Sequence, residues 1–236
     1  MKIDLNGLVI LAGNYGSGKT EVCINLAVYA RGSGRRVRIA DLDLVNPYFR
    51  TREARKALSD LDIDLVLPPE KYLHADLPVL SPVIAGMIRS SCDLILLDVG
   101  GDAVGARVLA CLADALKQRD VRMLQVVNPH RPYTDTIQGC IRARGEIEES
   151  SRLRFAGIVG NANMIDETSI DQIYEGYAFV EQLSRKTGLE LIFVTAPAEL
   201  LPVMDLARFS CPVLPIHRQL VPPWKRPETL RPVSKR

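Results

Sequence analysis

Eight residues near the start of the chain, Gly13-Asn14-Tyr15-Gly16-Ser17-Gly18-Lys19-Thr20, follow the spacing G-x-x-x-x-G-K-[ST]. Each part of that spacing has a chemical use. Glycines let the backbone turn tightly and aim successive N–H groups at one oxyanion. A helix opening at the end of the loop adds its positive N-terminal end. A lysine at position 19 reaches the β- and γ-phosphates of a nucleoside triphosphate, and the Thr20 hydroxyl is suited to Mg²⁺. The pattern predicts a phosphate-binding loop, with Gly13 to Thr20 and the adjoining Glu21 as nucleotide-binding residues. The competing reading is a glycine-rich turn carrying an exposed lysine.

A phosphate loop needs carboxylates opposite it, to hold the metal shell and to position the attacking group. In an open parallel sheet these come from the carboxyl ends of strands. Two acidic strand ends are present. In Asp41-Leu42-Asp43 the carboxylates alternate with a leucine, so extended backbone points both the same way. Asp98 closes the apolar run Leu94-Ile95-Leu96-Leu97, in the form of a metal-binding aspartate, and Gly100-Gly101-Asp102 follows it. Glycines there let a loop approach the γ-phosphate and move when it leaves. Thr20, Asp43 and Asp98 are the expected metal ligands, and Lys19 and Asp43 the expected catalytic residues. Asp41 orients either Lys19 or the metal shell. An aspartate at a strand end is otherwise a helix N-cap or a turn residue.

The elements that must position these residues are legible as an alternation. Strands are expected at 8–12, 37–40, 63–67, 93–97, 121–127, 155–159 and 191–194, and helices at 19–31, 52–58, 82–90, 104–117, 133–149 and 169–187. Strand–helix repetition of this kind predicts an α/β fold, a mostly parallel sheet with helices on both faces. Uninterrupted apolar strands agree with burial on both sides. Residues 1–210 are expected to form one nucleotide-binding domain. From Cys211 onward six prolines are mixed with six basic residues, so residues 211–236 are expected to be an extended tail, solvated or touching an acidic partner.

Composition narrows the class. The chain has 236 residues, 47% hydrophobic and 25% charged, which suits one large domain. A formal net charge of +2 is too small to argue for nucleic acid. No apolar run approaches the roughly 20 residues of a membrane span, and the first residues lack a signal-peptide pattern, so a cytoplasmic protein is expected. The five cysteines are scattered without a Cys-x-x-Cys, and read as buried small hydrophobes in a reducing compartment.

The order of these motifs resembles the MinD/ParA/CobQ-like branch of the SIMIBI class of P-loop NTPases. The resemblance rests on the loop, on Asp41-Leu42-Asp43, on the aspartate–glycine run at Asp98, and on Val126-Val127-Asn128-Pro129, which is similar to that branch's strand ending in Thr-Asn-Pro. Asp43-Leu44-Val45-Asn46-Pro47 resembles its first switch. The likeness covers roughly residues 5 to 205 and implies P-loop NTPase architecture. It further implies a slow, Mg²⁺-dependent ATPase whose nucleotide state controls homodimer formation or the binding of a protein partner. It implies that Asp43 positions the attacking water, that Asn161 contacts the base, that Pro197 lies in the loop flanking adenine, and that Asp41, Asn46, Gly100, Gly101 and Asp102 belong to switch loops. One feature departs from the branch: many members place a lysine at the second position of the loop, and here that position is Asn14. Asn14 is short and neutral and supplies no cation. Basic groups such as Arg50 or Arg52 are candidates to substitute. Two rival readings stay open, a transferase or ligase similar to dethiobiotin synthetase or cobyrinate amidase acting on a small carboxylate, and a nucleotide-gated binding protein that does not hydrolyse. No Asn-Lys-x-Asp guanine motif occurs, so ATP is favoured.

Asn161 and Asn163 carry amides able to read a base, or else form turns. His130 and Arg131 either face the site or lie in a solvated loop. Tyr48-Phe49-Arg50 is either a partner surface or core.

Overall fold

The computed structural model of the chain describes residues 1–43, 54–67, 82–101, 103–221 and 225–230. Asn46 and Asp102, together with Tyr48-Phe49-Arg50 and Arg52, lie outside the described residues.

Among the described residues eight strands form one sheet: β1 (Gly7–Ala12), β2 (Val37–Leu42), β3 (Asp64–Val66), β4 (Leu94–Val99), β5 (Val121–Val127), β6 (Phe155–Gly160), β7 (Glu190–Pro197) and β8 (Val213–Ile216). Their spatial order is β3-β2-β4-β1-β5-β6-β7-β8, and every pairing is parallel. The helices are α1 (Lys19–Gly32), α2 (Arg55–Ser59), α3 (Pro82–Arg89), α4 (Ala103–Cys111), α5 (Ala113–Leu116), α6 (Ile137–Ser151) and α7 (Ile170–Thr187).

Alternate residues of each central strand feed opposite cores. Val9, Leu11, Leu94, Leu96 and Leu124 pack with α1 on one face. Leu8, Ile10, Ile95, Leu97 and Met123 pack with α3, α4 and α5 on the other. This double burial is why the strands read as unbroken apolar runs. Sequential connections run outward from β1 in both directions, with β4 on one side of it and β5 on the other. A crevice at the carboxyl ends of the strands follows from that reversal, and the loops after β1, β2, β4 and β5 open there.

Bounds shift by a few residues at several elements, as at β7, and three of the differences have a local cause. The helix expected over 104–117 tightens at Leu112, whose N–H donates to Leu109 O, and divides into α4 and α5. The helix expected from 133 begins at Ile137, because Tyr133 stands in the left-handed region and Thr136 caps the first turn by accepting from Gly139 N. The third difference is β8, which lies beyond residue 210 and completes the sheet. Pro215 lacks a backbone donor, but β8 is an edge strand with one partner, where proline is tolerated. Leu214, Ile216, Leu220 and Leu230 are buried in the same core as α1.

The segment after β8 is fastened to α1 by polar contacts. Glu21 accepts from Gln219 N at 2.8 Å and from Leu220 N at 3.0 Å. Asn25 donates to His217 O and accepts from His217 N. Arg218 and Lys225 both pair with Asp166, and these contacts hold that carboxyl below the ordinary carboxylate range. Burial pushes the Glu21 carboxyl up from its ordinary 4.5, against the pull of the Leu220 and Gln219 amides. A carboxyl raised on folding stabilises fully below its unfolded value, and that contribution is lost as pH rises through the folded value. Glu21→Gln does not titrate, so it is expected to gain stability relative to wild type between about pH 4 and about pH 8. Urea unfolding at the two pH values checks this; a constant difference would contradict it.

Candidate functional site

The residues with chemistry gather where β1 leaves the sheet. A β-carbon on Gly13 would lie 2.3 Å from Val126 O of β5, so only glycine passes this point. The chain then turns through Gly16 and Gly18, both in the left-handed region, and α1 starts at Lys19. Gly18 is the N-cap and offers no side-chain cap. The first amides of a 14-residue helix therefore have no capping oxygen from that residue and point toward the loop's interior. Lys19 is buried and its Nζ folds back to donate to Asn14 O at 3.1 Å, an oxygen that also accepts from Ser17 N at 3.2 Å. Ser17 is fully buried, and its hydroxyl has no hydrogen-bond partner among the described residues.

Asn161, at the end of β6, supports this loop from behind. Its Nδ2 donates to Ser17 O at 2.7 Å, and its Oδ1 accepts from Thr195 Oγ1 of β7 at 2.5 Å. A β-carbon on Gly18 would stand 2.2 Å from that same Nδ2. The structure thus engages both ends of the Asn161 amide within the protein, one on the loop and the other on β7, where the resemblance implies a base contact. Asn163 belongs to a turn, its Oδ1 accepting from Ile165 N, and Asn128 joins the ends of β5 and β6 by donating to Asn163 O. Pro197 closes β7 and its carbonyl accepts from Leu200 N. Glu21, grouped with the loop by its position, is instead turned to residues 219 and 220.

The acidic strand ends come together beside the loop. Asp41 of β2 and Asp98 of β4 are in register on neighbouring strands, and Asp98 is in turn opposite Leu11 of β1. Both are buried on the face that carries α1. There burial pushes the Cys23 thiol up, and Asp98 and then Asp41 push it further. Asp41 Oδ1 accepts from Asp43 N at 3.1 Å, which holds the turn after β2. The Asp43 carboxylate then lies against Gly100, with Oδ1 3.3 Å from where a β-carbon of that glycine would be. The next residue completes the cluster: a β-carbon on Gly101 would stand 2.7 Å from Tyr15 N and 2.8 Å from Lys19 Nζ. Loops after β1, β2 and β4 thus meet at one junction. Tyr15 points outward and is 68% exposed. Thr20 is the second residue of α1.

Two participants are missing from the sequence reading. Thr195 fixes the Asn161 amide, and Gln125, buried in β5, donates to Cys140 O and ties β5 to α6. The available signal was a polar residue interrupting an apolar strand. The run after Asn128, expected either to face the site or to lie in a solvated loop, meets the phosphate loop where Asn14 Nδ2 donates to Pro132 O; no sequence spacing announces that contact.

No protein-family model and no curated protein matches the chain. Among solved structures it is similar to the cell division protein FtsY of Thermotoga maritima, with TM-score 0.55 and 18% identity over 83% of this chain and 65% of that one. Chloroplast FtsY of Physcomitrella patens gives TM-score 0.54 and 16% identity, over 82% of this chain and 60% of that one. The signal recognition particle 54 kDa protein of Aeropyrum pernix K1, in complex with GDP, gives TM-score 0.52 and 17% identity, over 82% and 42%. The chain spans less than two thirds of the length of each. At these identities the likeness establishes the fold, an α/β P-loop NTPase architecture with an all-parallel sheet. Among the described residues no helix is long and apolar enough to cross a membrane.

The Asn161 contact makes a prediction. Asn161→Asp keeps the size but turns an oxygen toward Ser17 O, so a donor–acceptor pair becomes a repulsion. It is expected to cost about 1–3 kcal/mol in urea unfolding; stability equal to wild type would show that the amide is not the loop's support.

Proposed function

We propose that the chain is a nucleotide-controlled switch of the MinD/ParA/CobQ-like branch, binding ATP with Mg²⁺ and hydrolysing it slowly. The observation that carries this reading is the junction at Gly101. The loop after β4 rests on Tyr15 N and Lys19 Nζ, the two groups that face a terminal phosphate, while Asp43 rests on the neighbouring Gly100. Occupancy of the phosphate loop is therefore felt at once by the loops after β2 and β4. Those loops, at Asp41, Asp43, Gly100 and Gly101, are the switch, and they present or withdraw a surface for a second copy of the chain or for another protein.

In this reading the uncapped start of α1 and the amides of residues 13–20 hold the phosphates, and Lys19 supplies the cation. Lys19 donates to a backbone oxygen of the loop, which holds its ammonium beside Gly101. The oxygen donors of Thr20, Asp43 and Asp98 suit a hard divalent cation. Bound there, Mg²⁺ would neutralise charge on the phosphates. Asp43 orients the attacking water. Pro197 flanks the base, and the protein works in the cytoplasm.

The test is nucleotide binding and ADP release by the purified chain with Mg²⁺. ATP is expected to bind in preference to GTP and to turn over slowly. Lys19→Ala is expected to lose triphosphate binding by about a hundredfold or more. Asp43→Ala is expected to keep binding and to lose turnover by about a hundredfold or more. Preference for GTP overturns the adenine assignment. Unchanged affinity in Lys19→Ala overturns the site, and surviving turnover in Asp43→Ala overturns the role of that carboxylate.

A further inference from the structure

Arg131 lies in the run Asn128-Pro129-His130-Arg131-Pro132-Tyr133, after β5, and the geometry brings that run onto the phosphate loop. Two contacts fasten it there. Asn14, in the loop itself, donates to the carbonyl of Pro132, the residue after Arg131. The Arg131 stem lies across Gly16, with Cδ 3.6 Å and Nε 3.7 Å from the place a β-carbon of that glycine would take. The run is also fixed internally. Arg131 N donates to Asn128 O, Thr134 N donates to Arg131 O, and the Thr134 hydroxyl donates to Asn128 O at 2.8 Å. Asn128 is in turn tied to the end of β6 through Asn163 O. Arg131 is thus carried by a braced turn.

Its Nε is buried and has no hydrogen-bond acceptor among the described residues. A buried, unpaired Nε beside a glycine loop that opens the uncapped start of α1 has a natural counterpart, an anionic oxygen bound by the same loop. We propose that Arg131 is a phosphate-binding residue of this site, a second cation beside Lys19 that contacts phosphoryl oxygens of the nucleotide from within the same chain. The proposal rests on the nucleotide reading of the loop. It assigns to Asn14 a role that suits its length and neutrality: Asn14 holds the turn that delivers the arginine. It also makes the charge complement of the site independent of a second subunit. Arginine suits the place because its fork offers several donors in fixed directions and remains charged at any working pH.

The experiment is calorimetric titration of the full chain with ATP and Mg²⁺ for wild type, Lys19→Ala, Arg131→Met and Arg131→Lys. Methionine keeps an apolar stem over Gly16 and removes every donor, so the ligand-free melting temperature is expected to stay at the wild-type value. ATP binding by Arg131→Met is expected to weaken about ten- to a hundredfold, with part of the loss recovered in Arg131→Lys. Wild-type affinity in Arg131→Met, with binding lost in Lys19→Ala, overturns this assignment and leaves the nucleotide reading standing. Equal affinity in wild type and Lys19→Ala, or no binding by wild type, overturns both.

Discussion

At the carboxyl end of β1 the backbone must pass where no side chain fits, and the rest of the site is arranged around that passage. Gly13 presses on a carbonyl of β5, Gly18 on the amide of Asn161, and Gly101 on the amide of Tyr15 and the ammonium of Lys19. Each approach is closer than a β-carbon allows. The first puts the loop against the sheet, the second aims the start of α1, and the third brings the β4–α4 connection down on top. Removing side chains here exposes polar backbone to a protein interior, and buried polar groups need partners. Asn161, Thr195 and Lys19 supply several of them.

Electrostatics runs across the same few residues. Asp41 and Asp98 sit side by side on strands about 4.8 Å apart, in a place sealed from solvent. Like charges so placed repel, and their field reaches the Cys23 thiol on α1. The positive end of α1 and the Lys19 ammonium lie at the same end of the sheet as these carboxylates. Asp43, one residue beyond β2, is anchored to Asp41 through its own N–H.

Much of the frame was readable before any coordinates. The unbroken apolar runs of β1, β4 and β5 follow from burial on both faces, and the run 121–127 coincides with β5 as found. The spacing of Gly13 to Thr20 located the loop because glycine, lysine and threonine each have a local geometric reason to be there. What escaped was whatever depends on distant partners. β8 was hidden by Pro212 and Pro215, since an edge position, which tolerates proline, is a property of the sheet and not of the segment. The ties of Asn161 to Ser17 and Thr195 escaped too, because nothing in its neighbourhood in sequence reveals those partners. Glu21 follows Thr20 in sequence, yet within the first turn of α1 it already faces residues 219 and 220.

The attachment of His217, Gln219 and Leu220 to α1 has a consequence for how the molecule is made. Glu21 and Gln219 are separated by 198 positions and meet directly. Leu214, Ile216, Leu220 and Leu230 complete the very core against which α1 packs. A nascent chain displays the loop and its helix early; β1, β2 and β4 seat one part of that helix, and β8 with the residues after it covers the rest much later. At about 5–20 residues per second, α1 waits roughly 10–40 s for its partner. Until then the part of that helix that Leu214, Ile216 and Leu220 cover is open to solvent, so its docking completes only when residues far along the chain have emerged.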